Sequence, residues 1–379
     1  MRPSKLKEYI GNLKGQVKQF DVIVAGGGPA GAACATVCAR GGLSVLILDR
    51  AKFPRDKVCG DNLNPACWPV LDRLGIAGDI PKAPHSRYRA VEIATIHGRK
   101  FRFDLPPGNS GQTGIRRRDL DAILLDGARD SGAEVLEKKT VTRIEPGWKI
   151  ESGRETFSSR WLVAADGRNS TIARLLGLLP PAGKDRIAVQ THVPILPEDE
   201  GIVRMMLWPE GYSGGASIGN GLWNQCLVAR PEHLSGLKTR ASSVLGLPSH
   251  LTWNAITPLA RVPCFPLQHG GALLLAGDAA RVVEPFTGEG IYYALRSGEL
   301  AGECLVELKI EDYPRLHAAL YRKRLWVNQI ARQAVLHPVL ASRILENLPG
   351  SHWILSHLTR RVIPNDEALP RSAESPLRL

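Results

Sequence analysis

Residues Asp21 to Arg40 read DVIVAGGGPAGAACATVCAR, and this stretch decides the fold. Val22, Ile23 and Val24 form the short continuous apolar run that a buried parallel strand needs, and the Ala-rich segment after the glycines reads as a helix. Gly26, Gly28 and Gly31 stand at the GxGxxG spacing. The first glycine permits a tight turn, the second lets backbone approach a pyrophosphate, and the third lets the helix lie close on the sheet. The helix N-terminus, with its unpaired N–H groups, then faces the phosphates. Such a turn also arises for steric reasons alone, but here the next apolar run, Leu43 to Leu48, ends at Asp49, 18 residues past Gly31. That is where a ribose-binding carboxylate belongs, so the stretch predicts dinucleotide binding.

A chain of 379 residues has room for two domains and a full core. Its 44% hydrophobic and 23% charged residues are those of an ordinary soluble globular protein. The apolar runs are short and interrupted, so none reads as a membrane span. The first twenty residues carry Lys5, Lys7, Lys14 and Lys18 and no apolar core, unlike a secretory signal. The expectation is a cytoplasmic chain with a capacity for membrane association. Seven cysteines without a CxxC pair argue against a disulfide framework, and no Cys/His cluster has zinc spacing, so no metal site is expected. The net charge of +12 suits an anionic cofactor or membrane, and no nucleic-acid-binding motif accompanies it. The sequence leaves the oligomeric state open.

Leu6, Ile10, Leu13 and Val17 share one face of a short basic arm over residues 1–19, which either packs on the body or meets a membrane. Residues 50–63, RAKFPRDKVCGDNL, read as a loop. Its Arg55 and Lys57 either run along an anionic cofactor or form a solvated basic turn. Alternation at Val91, Ile93, Thr95 and then Phe101, Phe103, Leu105 predicts a hairpin around His97-Gly98, leaving the parallel sheet for a β-rich region. A helix from Arg116 to about Ser131 buries Leu120, Ile123, Leu124 and Ala128 and returns to the first domain. Glu134 to Ile144 and Trp161 to Ala165 are strand candidates. Strand-like runs from Ile187 to Thr257 form the bulk of a second sheet. Ala272 to Asp278 is a buried strand, followed by a helix from about Glu289 to Leu308, and the rest is helical with breaks at Pro338, Pro349 and Pro364.

Three buried strands thus deliver polar atoms at their C-terminal ends, in VIVAGGGPAG, WLVAADGRNST and ALLLAGDAARVVEPFTGEGIYYALRSG. In open parallel sheets that edge binds ligands. These motifs, in this order, resemble the FAD-binding pattern of the 4-hydroxybenzoate hydroxylase superfamily. Within it, FPRDKVCGDNLNP and EPFTGEGIYYALRSGELAGE most resemble the geranylgeranyl reductase branch, over roughly residues 20 to 310.

The resemblance implies an α/β fold with a discontinuous Rossmann-like FAD-binding domain (20–84, 113–180 and 262–310). It also implies a β-sheet substrate domain (85–112 and 181–261) and a helical C-terminal region (311–379). Gly26, Gly28, Pro29, Ala30 and Gly31 would hold the pyrophosphate, and Asp49, with Arg50 beside it, the adenosine ribose. Arg117 would point at the phosphates, Val141 would meet adenine through its backbone, and Asp166 with Gly167 would form the DG turn. Asp278 would bind the ribityl chain or pyrophosphate. Gly288, Gly290 and Ile291 would lie beside the isoalloxazine ring, where the helix dipole stabilises charge gained on reduction.

In this branch a Cys-Gly pair lies beside the flavin, which makes Cys59 either a catalytic residue or a structural thiol. With one GxGxxG in the chain, NAD(P)H would bind transiently as electron donor, or electrons would arrive from another protein. The implied activity is hydride transfer from reduced FAD to a carbon–carbon double bond of a lipophilic, isoprenoid-type small molecule. The rival activity is a monooxygenase, a hydroxylase or epoxidase using NAD(P)H and O2; a non-catalytic electron-relay flavoprotein is a third reading. No WxWxIP motif supports a halogenase. Trp208-Pro-Glu-Gly-Tyr-Ser-Gly-Gly215 keeps Tyr212 but has Gly where the branch's YxWxFP segment has Trp, which implies a pocket suited to something other than a prenyl chain. Residues 318–363 carry Arg322, Lys323, Arg324, Arg332, Arg343, Arg360 and Arg361 against Glu346 alone, as either a membrane-facing or a solvated surface.

Overall fold

The computed structural model describes residues 17–105, 111–181, 185–248 and 250–362. The basic arm expected at the N-terminus lies outside the described residues up to residue 16. Its last part differs from expectation: Lys18–Phe20 already pair with Phe157–Ser159 as part of the first strand. The expected break at Pro364 and the side chains of Arg360 and Arg361 also lie outside.

The chain opens with β1 (Lys18–Ala25), α1 (Pro29–Arg40) and β2 (Val45–Leu48). A long loop leads to a hairpin, β3 (Ala90–Ala94) and β4 (Lys100–Asp104), and α2 (Arg117–Asp130) brings the chain back to β5 (Glu134–Leu136) and β6 (Glu155–Ala164). Next come β7 (Ile187–Pro194), β8 (Ile202–Trp208), β9 (Gly211–Ser217), β10 (Leu222–Ala229) and the short β11 (Asn254–Ile256). Strand β12 (Leu273–Leu275) leads to α3 (Gly290–Val306). Helices α4 (Tyr313–Arg322), α5 (Leu325–Leu336), α6 (Pro338–Asn347) and α7 (Ser351–Val362) follow, with Pro338 opening α6.

Strands β12, β6, β1, β2 and β5 lie side by side in that order, all parallel. Strand order reverses between β1 and β6, which creates the crevice where such sheets bind ligands. Val22, Ile23 and Val24 are completely buried, as an interior parallel strand requires. Helix α3 lies against α1 because Gly298 and Gly302 leave no side chain between it and Ala30 and Val37. That contact brings both helix N-termini to the same edge of the sheet.

The second sheet has the order β11, β7, β10, β9, β8, β3, β4, so the hairpin at 90–104 joins strands more than a hundred residues downstream. Only the β3–β8 pairing is parallel. Alternation in β4 buries Phe101 and Phe103 and exposes Lys100, Arg102 and Asp104. Asn62–Leu63, Thr113–Ile115 and His85–Arg87 pair, in that order, as a small antiparallel third sheet. The strand expected over Glu134–Ile144 divides in two. After β5, Lys138 takes a φ of +56°, and Lys138 and Lys139 donate their N–H groups to the Ala51 and Asp49 carbonyls, so the chain leaves the sheet. It resumes as an antiparallel hairpin, Arg143–Glu145 with Lys149–Ser152.

Candidate active site

One cavity of about 1060 Å³ runs from the C-terminal edge of the parallel sheet to the face of the second sheet. This reaches the upper end of the roughly 300–1,000 Å³ that ligand pockets occupy. At the parallel-sheet end Gly26 adopts a φ of +102°, and a Cβ there would stand 2.6 Å from the Ala165 carbonyl oxygen. A Cβ on Gly31 would collide with the Gly26 carbonyl. Gly28 is open: the one atom its Cβ would meet is Arg55 Nη2 at 3.6 Å. Pro29 and Ala30 start α1 and line the cavity with Gly26 and Gly28, whereas Gly31 lies behind them against Gly26 and Val24.

Asp49 at the end of β2 is buried; its Oδ2 accepts the Gly27 N–H at 2.7 Å and its Oδ1 the Ala51 N–H at 2.8 Å. Arg50 is exposed on the rim, and Val141 lines the wall nearby. Asp166, after β6, accepts the N–H groups of Thr171 and Ile172 through Oδ2, while Oδ1 is buried without a partner among the described residues. Burial pushes its carboxyl pKa up. Gly167, with a φ of +84°, and Asp278 also line the cavity, and Arg168 Nη2 donates to Asp278 at 3.1 Å. Gly288, Gly290 and Ile291 bring the first turn of α3 to the same space.

Arg117, expected at the phosphates, lines the same cavity. Its Nε and Nη2 hold Asp121 at 2.7 and 2.8 Å, and the guanidinium also contacts the Cys59 thiol. The cation over the open glycine is Arg55, itself 3.0 Å from Asp121. Lys57 joins it in the cavity wall. Burial, followed by the nearby Arg117 and Arg55, brings the Lys57 ammonium down to about 8.

Cys59 is half-buried at the junction of the two ends. Its N–H meets Gln190 Oε1 at 3.3 Å, and its carbonyl accepts from Asn224 Nδ2 at 2.9 Å. Strands β7 and β10 therefore fix the loop. Beyond it the lining is apolar: Val91, Ile93, Val203, Met205, Leu207 and Tyr212 from the second sheet, with Val327, Ile330, Leu345 and Leu355 from α5 to α7 as a roof. Tyr212 stands edge-on to Phe286 at 5.2 Å.

Sequence reasoning left Asn62, Arg168 and the Arg186–Glu284 pair without a role. Arg168 follows the DG motif directly and was within reach of the motif reading. The pair joins residues 98 apart in sequence and carries no local signal.

The lining suits a dinucleotide carrying a flavin. It has a backbone cradle open at Gly28, cations at Arg55 and Lys57, and buried polar atoms without a partner among the described residues at Asp166 Oδ1, Asn62 Oδ1 and Arg168 Nε. Residues 19–207 match the model of an FAD binding domain. The menaquinone reductase of Mycobacterium tuberculosis is 31% identical over 337 residues, 80% of each chain. Digeranylgeranylglycerophospholipid reductase 1 of Methanopyrus kandleri is 32% identical over 321 residues, 78% of this chain and 82% of that one. Among solved structures, a geranylgeranyl bacteriochlorophyll reductase-like protein of Thermoplasma acidophilum superposes with a TM-score of 0.68, 22% identity and 92% of each chain. A flavin-dependent brominase gives 0.70 at 18% identity, covering 93% of this chain and 96% of its own, so the fold alone extends to halogenating flavoproteins. The chain is a FAD-dependent oxidoreductase and belongs to the geranylgeranyl reductase family.

Proposed function

We propose that this enzyme reduces a carbon–carbon double bond of a lipophilic, isoprenoid-type substrate. The observation that carries the reading is the continuity of the cavity: a polar cofactor end opens, past Cys59, into an apolar end of a kind that would hold hydrocarbon. Two relatives are named as reductases of a menaquinone and of a digeranylgeranylglycerophospholipid. Bound FAD, once reduced by NAD(P)H or another donor, supplies a hydride to one alkene carbon while the other receives a proton.

In this reading residues 20–84, 113–180 and 262–310 form the cofactor domain, 85–112 and 181–261 the substrate domain, and 311–379 the helical cover. Gly26 to Gly31, with Arg55 and Lys57, hold the pyrophosphate. Asp49 uses its remaining lone pairs on the ribose, with Arg50 at the rim, and Val141 lies against adenine. Asp166, Gly167, Arg168 and Asp278 hold the ribityl chain. The first turn of α3, at Gly288, Gly290 and Ile291, directs its partial positive charge at the ring and favours the anionic reduced form. Cys59 presents the proton.

The substrate reaches the cavity from a membrane surface. Among the roofing helices Leu340, Ile344 and Trp353 are exposed at 58%, 49% and 70%, beside Leu345 and Leu355 that line the cavity. Arg324 and Arg332, counted in the basic run, turn inward to Glu289 and to Asp185 and Glu284, so the apolar residues carry this contact. Among the described residues no helix is long and apolar enough to cross a membrane.

The test is product mass. Purified protein with NADPH or dithionite and a prenylated quinone or lipid should yield product heavier by two hydrogens. A gain of one oxygen under air would replace this reading with the monooxygenase one. A bound flavin that no donor bleaches would leave an electron-relay or storage protein.

A further inference from the structure

One layer behind the Cys59 wall, a buried polar cluster connects the cavity to solvent. Asp61 has a φ of +53° and a side chain only 1% exposed. Its Oδ1 accepts the Arg117 N–H at 3.1 Å, and its Oδ2 accepts from Gln190 Nε2 at 3.0 Å and from His192 Nε2 at 3.2 Å. Burial raises the Asp61 carboxyl pKa and the His192 and Arg117 contacts lower it; in its ionised form the carboxylate only accepts, and the His192 proton then sits on Nε2 and points at Asp61. The imidazole is 24% exposed and forms the outer end of the cluster. At the inner end, the Asp61 N–H and the Arg117 guanidinium both contact the Cys59 sulfur. Burial, and the Asp61 carboxylate, push the Cys59 thiol pKa up, which keeps the resting sulfur protonated.

We propose that His192 and Asp61 are the proton-uptake pair that reloads Cys59 from solvent after each turnover. The proposal rests on the double-bond reduction above, with Cys59 as proton donor. In that step the Cys59 S–H bond breaks and a C–H bond forms as the hydride from reduced FAD enters the other carbon. The thiolate is held by Arg117 and the Asp61 N–H. His192 takes a proton from water on Nδ1 and passes its Nε2 proton to the Asp61 carboxylate, and the carboxyl so formed reprotonates the thiolate. Each turnover then consumes one hydride and one solvent proton. The titratable groups facing Asp61 are His192, Arg117, Cys59, Cys226 and the buried Tyr88; Arg117, Cys59 and Cys226 line the cavity, and His192 is the partly exposed group bonded to the carboxylate.

The experiment uses FAD-loaded His192→Gln and Asp61→Asn, each reduced by dithionite and mixed with substrate over a range of pH. A resting Cys59 is already loaded, so the first turnover should stay within about twofold of the parent protein while later turnovers slow by about a hundredfold. Imidazole should restore His192→Ala. Equal slowing of first and later turnovers, or none, overturns the relay. Absence of reduction in the parent protein is instead a failure of the reaction reading. An arm that needs no substrate follows iodoacetamide labelling of the Cys59 peptide against pH. Asp61→Asn should move its midpoint to lower pH, and an unmoved midpoint overturns the coupling of this carboxylate's charge to the thiol, on which the relay depends.

Discussion

Asp49 Oδ2 accepts the Gly27 N–H at 2.7 Å, so the end of the second strand carries the glycine turn that follows the first. Its other oxygen takes the Ala51 N–H. The carboxylate is thus part of the turn whether or not a ribose is present. Asp49→Asn sets an amide N–H against one of these two donors, a buried mismatch costing about 1–3 kcal/mol. The expected result is a lower melting temperature in FAD-free protein as well as weaker FAD retention. Loss of retention alone would show a carboxylate that serves only the ribose.

Arg186 and Glu284 form a two-pronged ion pair, at 3.0 and 2.7 Å, with side chains 3% and 2% exposed. It ties the start of β7 in the second sheet to the loop that carries Phe286 and Gly288. Glu284→Ala leaves a buried guanidinium with Asp185 at 3.4 Å as its remaining carboxylate, and a loss of about 3–5 kcal/mol follows. Denaturant unfolding measures this. FAD should also dissociate faster, because the Phe286–Gly288 loop borders the cavity.

The parts of the fold visible in the sequence are those with local signals. The glycine turn, the hairpin about His97-Gly98 and the amphipathic helix at 117–130 each follow from residue spacing within a short window. The strand candidate at 134–144 failed because the apolar residues Val135, Leu136 and Val141 carry no mark of the left-handed Lys138 between them. The same limit applies to the site. Gly26, Asp49 and Asp278 lie in motifs, whereas the Asp61–His192 and Arg186–Glu284 pairs join residues about a hundred or more apart and exist only once both sheets are in place. The length of the cavity's apolar end is likewise set by helices from the far end of the chain.

His317 is buried between the rings of Tyr313 and Tyr321, at 5.5 and 5.0 Å, with its Nε2 unpartnered among the described residues. Burial, then Arg281, lowers its pKa to about 4. The unfolded chain takes up a proton near the ordinary value of about 6.5 and the folded chain only near 4. Stability is therefore complete above about 6.5 and falls as pH drops towards 4, by about 3 kcal/mol. His317→Phe should flatten this part of the stability–pH curve; an unchanged slope would assign the acid sensitivity to carboxylates.

Lys57 stands in the cavity wall with an ammonium that titrates at about 8, within reach of the Asp278 charge and near Gly167. An anionic cofactor prefers the protonated lysine, so by linkage FAD binding to stripped protein is tightest below that pH. Affinity should fall as pH rises through about 8, where the ammonium is lost. Arg117, its pKa raised, supplies a constant background across this range. Lys57→Gln should bind FAD more weakly at neutral pH and lose the step near 8. Lys57→Arg should bind well with the step also gone. Fluorescence quenching of added FAD, followed from pH 6 to 10 in the three proteins, measures all three outcomes, and a step that persists in Lys57→Gln belongs to another group.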